Sequence, residues 1–443
     1  MRGNSMLKRL GEEKIAKGIP IREAKFPIPF GSGLEYAAPA RGCWNIVHTG
    51  MLVPEAQEIF ICPAGCLRGV VLTAAEMGQA HRFSTVEVRE ENLFNGDMED
   101  LVIEGVTDIL NRLPKMPPAV LIYTSCVHHF TGCDLGLIYS TLRERFPDVD
   151  FTDCYMNPIM RKSGLTPDQL IRKGMLDLLK PRPLHDKAVM LLNYDQPTME
   201  DSDLVLWLRK HGYTIHENAI CDTYEDYQKM AESSHYISYN PAANAGAKLL
   251  EKRLGGKLSY LPVSFNYDEI DEAFRNLAGD LGIPVTESRR EECEAVLQKA
   301  LDLIGNTPIV IDYTCCSRPL SMARLLLDHG FQVERVYVDV VTGAEKEDFT
   351  FLQAHYPSLE LWPTIHPTMR FSAHEAEGKY LAIGQKAAYF TNSNHFVNLV
   401  SGGGMLGYQA ILHLTELLMD AYLHAKDMRS LIQIKGKGCE ICR

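Results

Sequence analysis

Short apolar runs rich in β-branched residues recur along the chain, each closed by a Gly, Pro or Ser turn and followed by a stretch with helical spacing. Glu58 to Cys62, Ala119 to Tyr123, Ala188 to Leu192, Tyr236 to Tyr239 and Pro308 to Tyr313 are such runs. Strands this short and this uniformly apolar belong in parallel sheets buried on both faces. Between them, Leu101 to Leu113, Leu135 to Phe146, Asn244 to Leu254 and Pro319 to Asp328 space their apolar residues as crossover helices. The alternation predicts an α/β fold of doubly wound, Rossmann-like parallel sheets.

Two breaks interrupt the alternation. Pro181-Arg182-Pro183-Leu184-His185 reads as a linker, and Gly305-Asn306-Thr307-Pro308 closes a charged helix running from Arg289 to Asp302. The expected organisation is three α/β domains at residues 1–184, 185–305 and 306–400. Residues 401–443 then form a helical pattern from Gly407 to Lys426, packing back on an earlier domain, and a cysteine-containing tail.

A hydrophobic fraction of 46% and a charged fraction of 23% are those of a globular protein. A net charge of -12 argues against a broad nucleic-acid face, which needs clustered Lys and Arg. No leader pattern and no apolar run long enough to span a bilayer is evident, so the expectation is cytoplasmic with no membrane partner. Under that expectation the 12 cysteines are not a disulfide framework, because the cytosol keeps thiols reduced. Cys154, Cys221 and Cys293 stand alone and read as small buried hydrophobes.

The N-terminal cysteines are grouped differently. Cys43 in Ala40-Arg41-Gly42-Cys43, Cys66 in Cys62-Pro63-Ala64-Gly65-Cys66 and Cys126 in Thr124-Ser125-Cys126 occupy short turn-rich loops. Cys66 and Cys126 follow predicted strands directly, at the carboxyl ends where ligands of parallel sheets gather. Thiolates converging from separate loops are how proteins hold iron-sulfur clusters. Cys62 and Cys133 lie close by and rank second as ligands.

These loops, with Gly132-Cys133-Asp134-Leu135 after the third, resemble the cysteine loops of the nitrogenase component 1 family. That family includes nitrogenase catalytic subunits, a cofactor-assembly scaffold and dark-operative protochlorophyllide reductase. The resemblance extends loosely over residues 35–425 and is specific in the N-terminal third. It implies an iron-sulfur cluster, [4Fe-4S] in type, ligated by Cys43, Cys66 and Cys126 at a subunit interface, the partner chain supplying the remaining ligands. It also implies a homodimer, or a heterodimer or heterotetramer with a paralogous subunit, fed by a separate ATP-dependent iron-sulfur reductase. The chain has no GxxxxGK(S/T) loop of its own to hydrolyse ATP.

The departures from the family are as informative. The nitrogenase α subunit holds its molybdenum-iron cofactor with a middle-domain cysteine and a late histidine. Here the corresponding strand reads His235-Tyr236-Ile237-Ser238-Tyr239-Asn240-Pro241, and His395 is only near the late position. Nitrogenase activity from this chain alone is therefore not expected, and a second metal cofactor stays unassigned.

Other groups carry weaker chemistry. Arg318, after Cys315-Cys316-Ser317, is expected to project from a strand-to-helix turn toward the interdomain cleft, where a guanidinium suits a carboxylate or phosphate; the plainer alternative is a salt-bridged surface Arg. Cys315 and Cys316 are read as strand neighbours with diverging side chains, poorly placed to bind one ion jointly, with one of them still a candidate ligand. His128 and His129 either tune the first site or simply pack, and His366 and His374 have no assignment. Gly402 to Gly404 either presents backbone N–H groups to an anion or is a flexible connection. Cys439 and Cys442 form a terminal C-x-x-C with metal-binding or redox spacing.

The leading expectation is an iron-sulfur oxidoreductase subunit that takes low-potential electrons from the ATP-dependent reductase and reduces an unidentified substrate, with His395, Arg318 and His128 as weak catalytic candidates. A metal-cluster assembly scaffold or carrier, and a cluster-free or zinc-binding protein retaining the fold, are the alternatives.

Overall fold

The computed structural model describes residues 17–31, 35–38, 40, 46–156, 164–374 and 380–432. Cys43, Cys439 and Cys442 lie outside the described residues.

Three parallel sheets account for the apolar runs. The first orders its strands β3 (Phe83–Glu87), β2 (Gln57–Cys62), β4 (Ala119–Ser125) and β5 (Asp150–Met156). The second repeats that order with β7 (Thr214–Glu217), β6 (His185–Leu192), β8 (Ser233–Ser238) and β9 (Lys257–Tyr260). Every pair in both sheets is parallel. All of β2 and β4 is buried, as their unbroken apolar runs require.

The third sheet runs β12 (Glu360–Trp362), β11 (Val333–Tyr337), β10 (Ile309–Asp312), β13 (Leu381–Ile383) and β14 (Phe396–Val397). A two-residue strand, β1 (Ile19–Pro20), joins it antiparallel to β12. The N-terminal segment thus begins against the last sheet, Ile21 entering its core.

Each sheet reverses its strand order once: between β2 and β4, between β6 and β8, and between β10 and β13. At such a reversal the crossover helices leave on opposite faces and open a crevice beyond the carboxyl ends of the two strands. These three crevices are where the chemistry collects.

One hydrophobic core runs through the second and third sheets and includes Val189, Ile237, Ile311 and Val336. A second core joins the first sheet to the second through the helix Pro167–Asp177, whose Ile171 and Met175 meet Tyr123 on one side and Met190 on the other. The long C-terminal helix Tyr408–Leu423 does pack back, against Arg290–Ile304. Its first residue also ties it to the helix Tyr267–Leu281: the Tyr408 hydroxyl donates to Asp271 at 2.6 Å.

Candidate functional site

At the first crevice β2 ends on Cys62 and β4 ends on Ser125, with Cys126 following. Pairing Ile61 with Thr124 sets these two strand ends side by side. The Cys62 thiol is fully buried, and its pKa is pushed up to about 12 by that burial and then by negative charge at Cys66 and Cys126. Cys66 is exposed in the first turn of the helix Ala64–Glu76, and half-buried Cys126 opens the short helix that follows β4. Among the described residues no three His, Cys, Asp or Glu side chains close on one point as a finished metal site.

Cys133 goes elsewhere. Its thiol is also pushed up to about 12, first by burial and then by the charge and hydrogen bond of Glu99, which accepts from the Asp134 amide at 2.7 Å. Of the two second-rank cysteines, the structure places Cys62 beside Cys66 and Cys126 and ties Cys133 to Glu99. His128 is a helix cap: the Ser125 amide donates to its Nδ1 at 3.2 Å, and burial pushes its pKa down, so the ring is neutral with its proton on Nε2. That buried Nε2 meets no acceptor among the described residues.

The helix beside these cysteines is apolar on its outside. Only Thr73 and Ala74 of Ala64–Glu76 are buried, while Val71 and Leu72 face solvent. Phe94, at 86% exposure, and Phe130, at 68%, also stand beyond the carboxyl ends of β3 and β4. An apolar rim around a set of thiols is what a subunit interface leaves uncovered in the isolated chain.

A cavity of about 460 Å³ opens where the second and third crevices face each other. Tyr194, Asn240 and Tyr260 follow β6 and β8 and end β9 on one wall; Tyr313, Cys316 and Glu345 come from the third unit on the other. Asp168, on the helix shared with the first unit, reaches the same space. Glu345 is buried and accepts from the Leu320 amide at 2.8 Å; burial raises its carboxyl to about 7 despite that bond and nearby Arg318. The sequence reading missed Asp168, Tyr194, Tyr260 and Glu345, although the strand-end rule that located the cysteines applies equally to Tyr194 and Tyr260.

The contacts of three polar groups bear on the readings left open for them. Arg318 reaches the cavity wall, but its guanidinium is spent: Nη1 donates to Glu269 at 2.5 Å, and Nη2 to Asp348 at 2.6 Å and Glu269 at 3.2 Å. With buried Asp348 and half-buried Glu269 already on it, it is not an anion clamp for a guest. His395 sits at the amino end of β14, opposite the crevice, where its Nδ1 meets the Ala421 carbonyl at 2.9 Å. The glycine triplet is no anion cradle, since the Gly402 amide donates to the Cys315 carbonyl at 2.6 Å and that of Gly403 to Val400 at 3.0 Å. His366 is exposed and bonds to Thr368.

The family model of nitrogenase component 1 type oxidoreductases matches residues 48–394. The chain belongs to that family. Among solved structures, "Nitrogenase Cp1 at pH 6.5" is similar at a TM-score of 0.65 and 15% identity, over 89% of this chain and 94% of that one. "Nitrogenase Cp1 at pH 5" is similar at 0.54 and 13%, over 94% and 90%. At such identities the structural likeness speaks for the component 1 fold. A comparison with curated proteins finds no significant match. No helix among the described residues is long and apolar enough to cross a membrane.

Proposed function

We propose that this component 1 family member is an iron-sulfur oxidoreductase subunit that holds a cluster at the first crevice and reduces a guest in the interdomain cavity. The observation that supports this reading is that Cys62 ends β2, Cys66 lies in the first turn of the helix after it, and Cys126 follows the neighbouring strand β4, all along the carboxyl edge of the first sheet. Sulfur donors suit iron in kind. The set is open toward solvent, which fits completion by Cys43 or by ligands from a second subunit, either another copy or a paralogue.

When bound, such a cluster supplies low-potential one-electron steps. The chain's own residues do the rest. Cys62, protonated while the site is empty, gives up its proton on ligation. Val71, Leu72, Phe94 and Phe130 bury against the second subunit and keep water from the thiolates. In the cavity, Glu345 holds a proton near neutral pH beside the guest, and the hydroxyls of Tyr194, Tyr260 and Tyr313 orient it. Electrons come from a separate ATP-dependent iron-sulfur reductase, since the sequence offers no nucleotide-binding loop.

Anaerobic iron and sulfide quantification with low-temperature EPR tests this reading. The wild-type chain is expected to be brown, with iron, labile sulfide and a signal on reduction, and Cys66→Ser is expected to lose most of them. Colourless, iron-free protein after anaerobic reconstitution refutes it; zinc without iron supports the cluster-free alternative.

A further inference from the structure

Cys315 and Cys316 were expected to diverge as strand neighbours, and they do not. β10 ends at Asp312, and the chain turns there: the Asp312 carboxylate accepts from the Thr314 amide at 2.8 Å, and the Cys315 amide donates to the Asp312 carbonyl at 3.3 Å. In this turn both side chains swing to one side, and their sulfurs come within 3.8 Å of each other. Both residues are buried, and Cys316 forms part of the cavity wall.

The separation discriminates between two fates. A disulfide needs its sulfurs about 2.05 Å apart. Two thiolates on one tetrahedral metal ion, each at about 2.3 Å with a tetrahedral angle between them, stand about 3.8 Å apart. The pair therefore has the bite of a two-sulfur chelate. The turn is also held from behind: the Ser401 amide donates to the Thr314 carbonyl at 2.8 Å and the Gly402 amide to that of Cys315 at 2.6 Å.

We infer that Cys315 and Cys316 form a two-thiolate site for a thiophilic, tetrahedral metal ion on the wall of the interdomain cavity, with its remaining coordination positions open to the cavity. Among the described residues no third His, Cys, Asp or Glu completes it, so a guest molecule or water supplies the other donors. Burial, and then the neighbouring thiol, raise Cys315 well above the usual thiol range. This site is separate from the crevice of Cys62, Cys66 and Cys126, and its test is independent of the cluster.

The probe is Co(II), titrated anaerobically into the full-length chain and followed by thiolate-to-cobalt charge-transfer absorption. Cys315→Ser/Cys316→Ser is expected to lose one equivalent of cobalt and its band, each single variant about half the intensity, and Cys293→Ser nothing. Cys62→Ser/Cys66→Ser/Cys126→Ser is expected to keep the band, which separates this inference from the cluster reading. Unchanged cobalt stoichiometry in the Cys315/Cys316 double variant overturns the inference, as does an anaerobically isolated wild type in which the two sulfurs form a disulfide. Should the double variant fail to fold, alkylation of the wild type decides: cobalt protection of Cys315 and Cys316 supports the site, and equal labelling with and without cobalt overturns it.

Discussion

Replacing Arg318 with Met gives the sharpest test of whether this residue is structural. Its guanidinium contacts Glu269 through both terminal nitrogens and Asp348 through one. Asp348 is completely buried and would keep only Arg324, at 3.3 Å. Glu269 would keep the Ser264 hydroxyl at 2.6 Å. Removing one partner of a buried ion pair costs about 3–5 kcal/mol, because the remaining charge has lost its compensation. With roughly 0.9 kcal/mol per kelvin of unfolding entropy for a chain of this length, that is a fall of about 4 °C in Tm if the chain melts as one.

The pH dependence carries a sign. Burial alone would raise Glu269, yet hydrogen bonds and charge from Arg318 and Ser264 hold it below its usual value. A carboxyl lowered in the folded state stabilises above its unfolded pKa, and that contribution disappears as pH falls through the lower folded value. The Arg318→Met deficit should therefore be full at neutral pH and shrink below about pH 4. Urea unfolding from pH 3 to 8 measures it. A deficit under about 1 kcal/mol at pH 7, or one that persists undiminished at pH 3, refutes the ion-pair account. Arg318→Met/Asp348→Asn should cost less than the sum of its single changes, since the orphaned charge is gone.

Four further outcomes are expected. Glu345→Gln should flatten the stability profile between about pH 4.5 and 7: the folded carboxyl is raised to about 7, so its contribution is complete below the unfolded value and lost as pH rises through 7. The difference, about 3 kcal/mol, is read from urea midpoints at pH 5 and pH 8. Glu217→Gln should behave alike, because burial also raises Glu217 to about 7 although Thr198 and Asn193 bond to it. Gly404→Ala should destabilise by about 2 kcal/mol or more by thermal melting, since φ is +76° and a Cβ would lie 2.0 Å from the Pro197 carbonyl oxygen. Phe94→Asp/Phe130→Asp should shift an oligomer toward monomer in analytical ultracentrifugation while leaving the Tm of the single chain nearly unchanged.

The fold was legible where local pattern decides it. Ala119–Ser125 and Asn244–Leu254 are recoverable from composition and spacing because a doubly buried strand and an amphipathic helix each have their own periodicity. Cys66 and Cys126 were legible as a pair because strand ends in a parallel sheet converge. Cys62 ranked second because it lies beside the three resembling cysteine positions and not on one; its burial at the end of β2 is not something the spacing reveals. Arg318 was misjudged because its partners lie 49 and 30 residues away, and no local signal connects them. The turn at Cys315 had a signal, an Asp two residues before a Thr, whose carboxylate can stop a strand by capturing the next free amide. The apolar run through Tyr313 concealed it.

The loop at Ser401 to Gly404 connects more than it first shows. On one side its amides grip Thr314 and Cys315; on the other, the Gly404 carbonyl accepts from Met199 at 3.0 Å, in the segment that follows β6. One short stretch of backbone thus pins the second unit's wall of the cavity to the third unit's wall, and the helix Tyr408–Leu423 begins four residues later. The two walls cannot part without tearing that pin. The width of the chamber is thus tied to the geometry of a loop that lines neither wall.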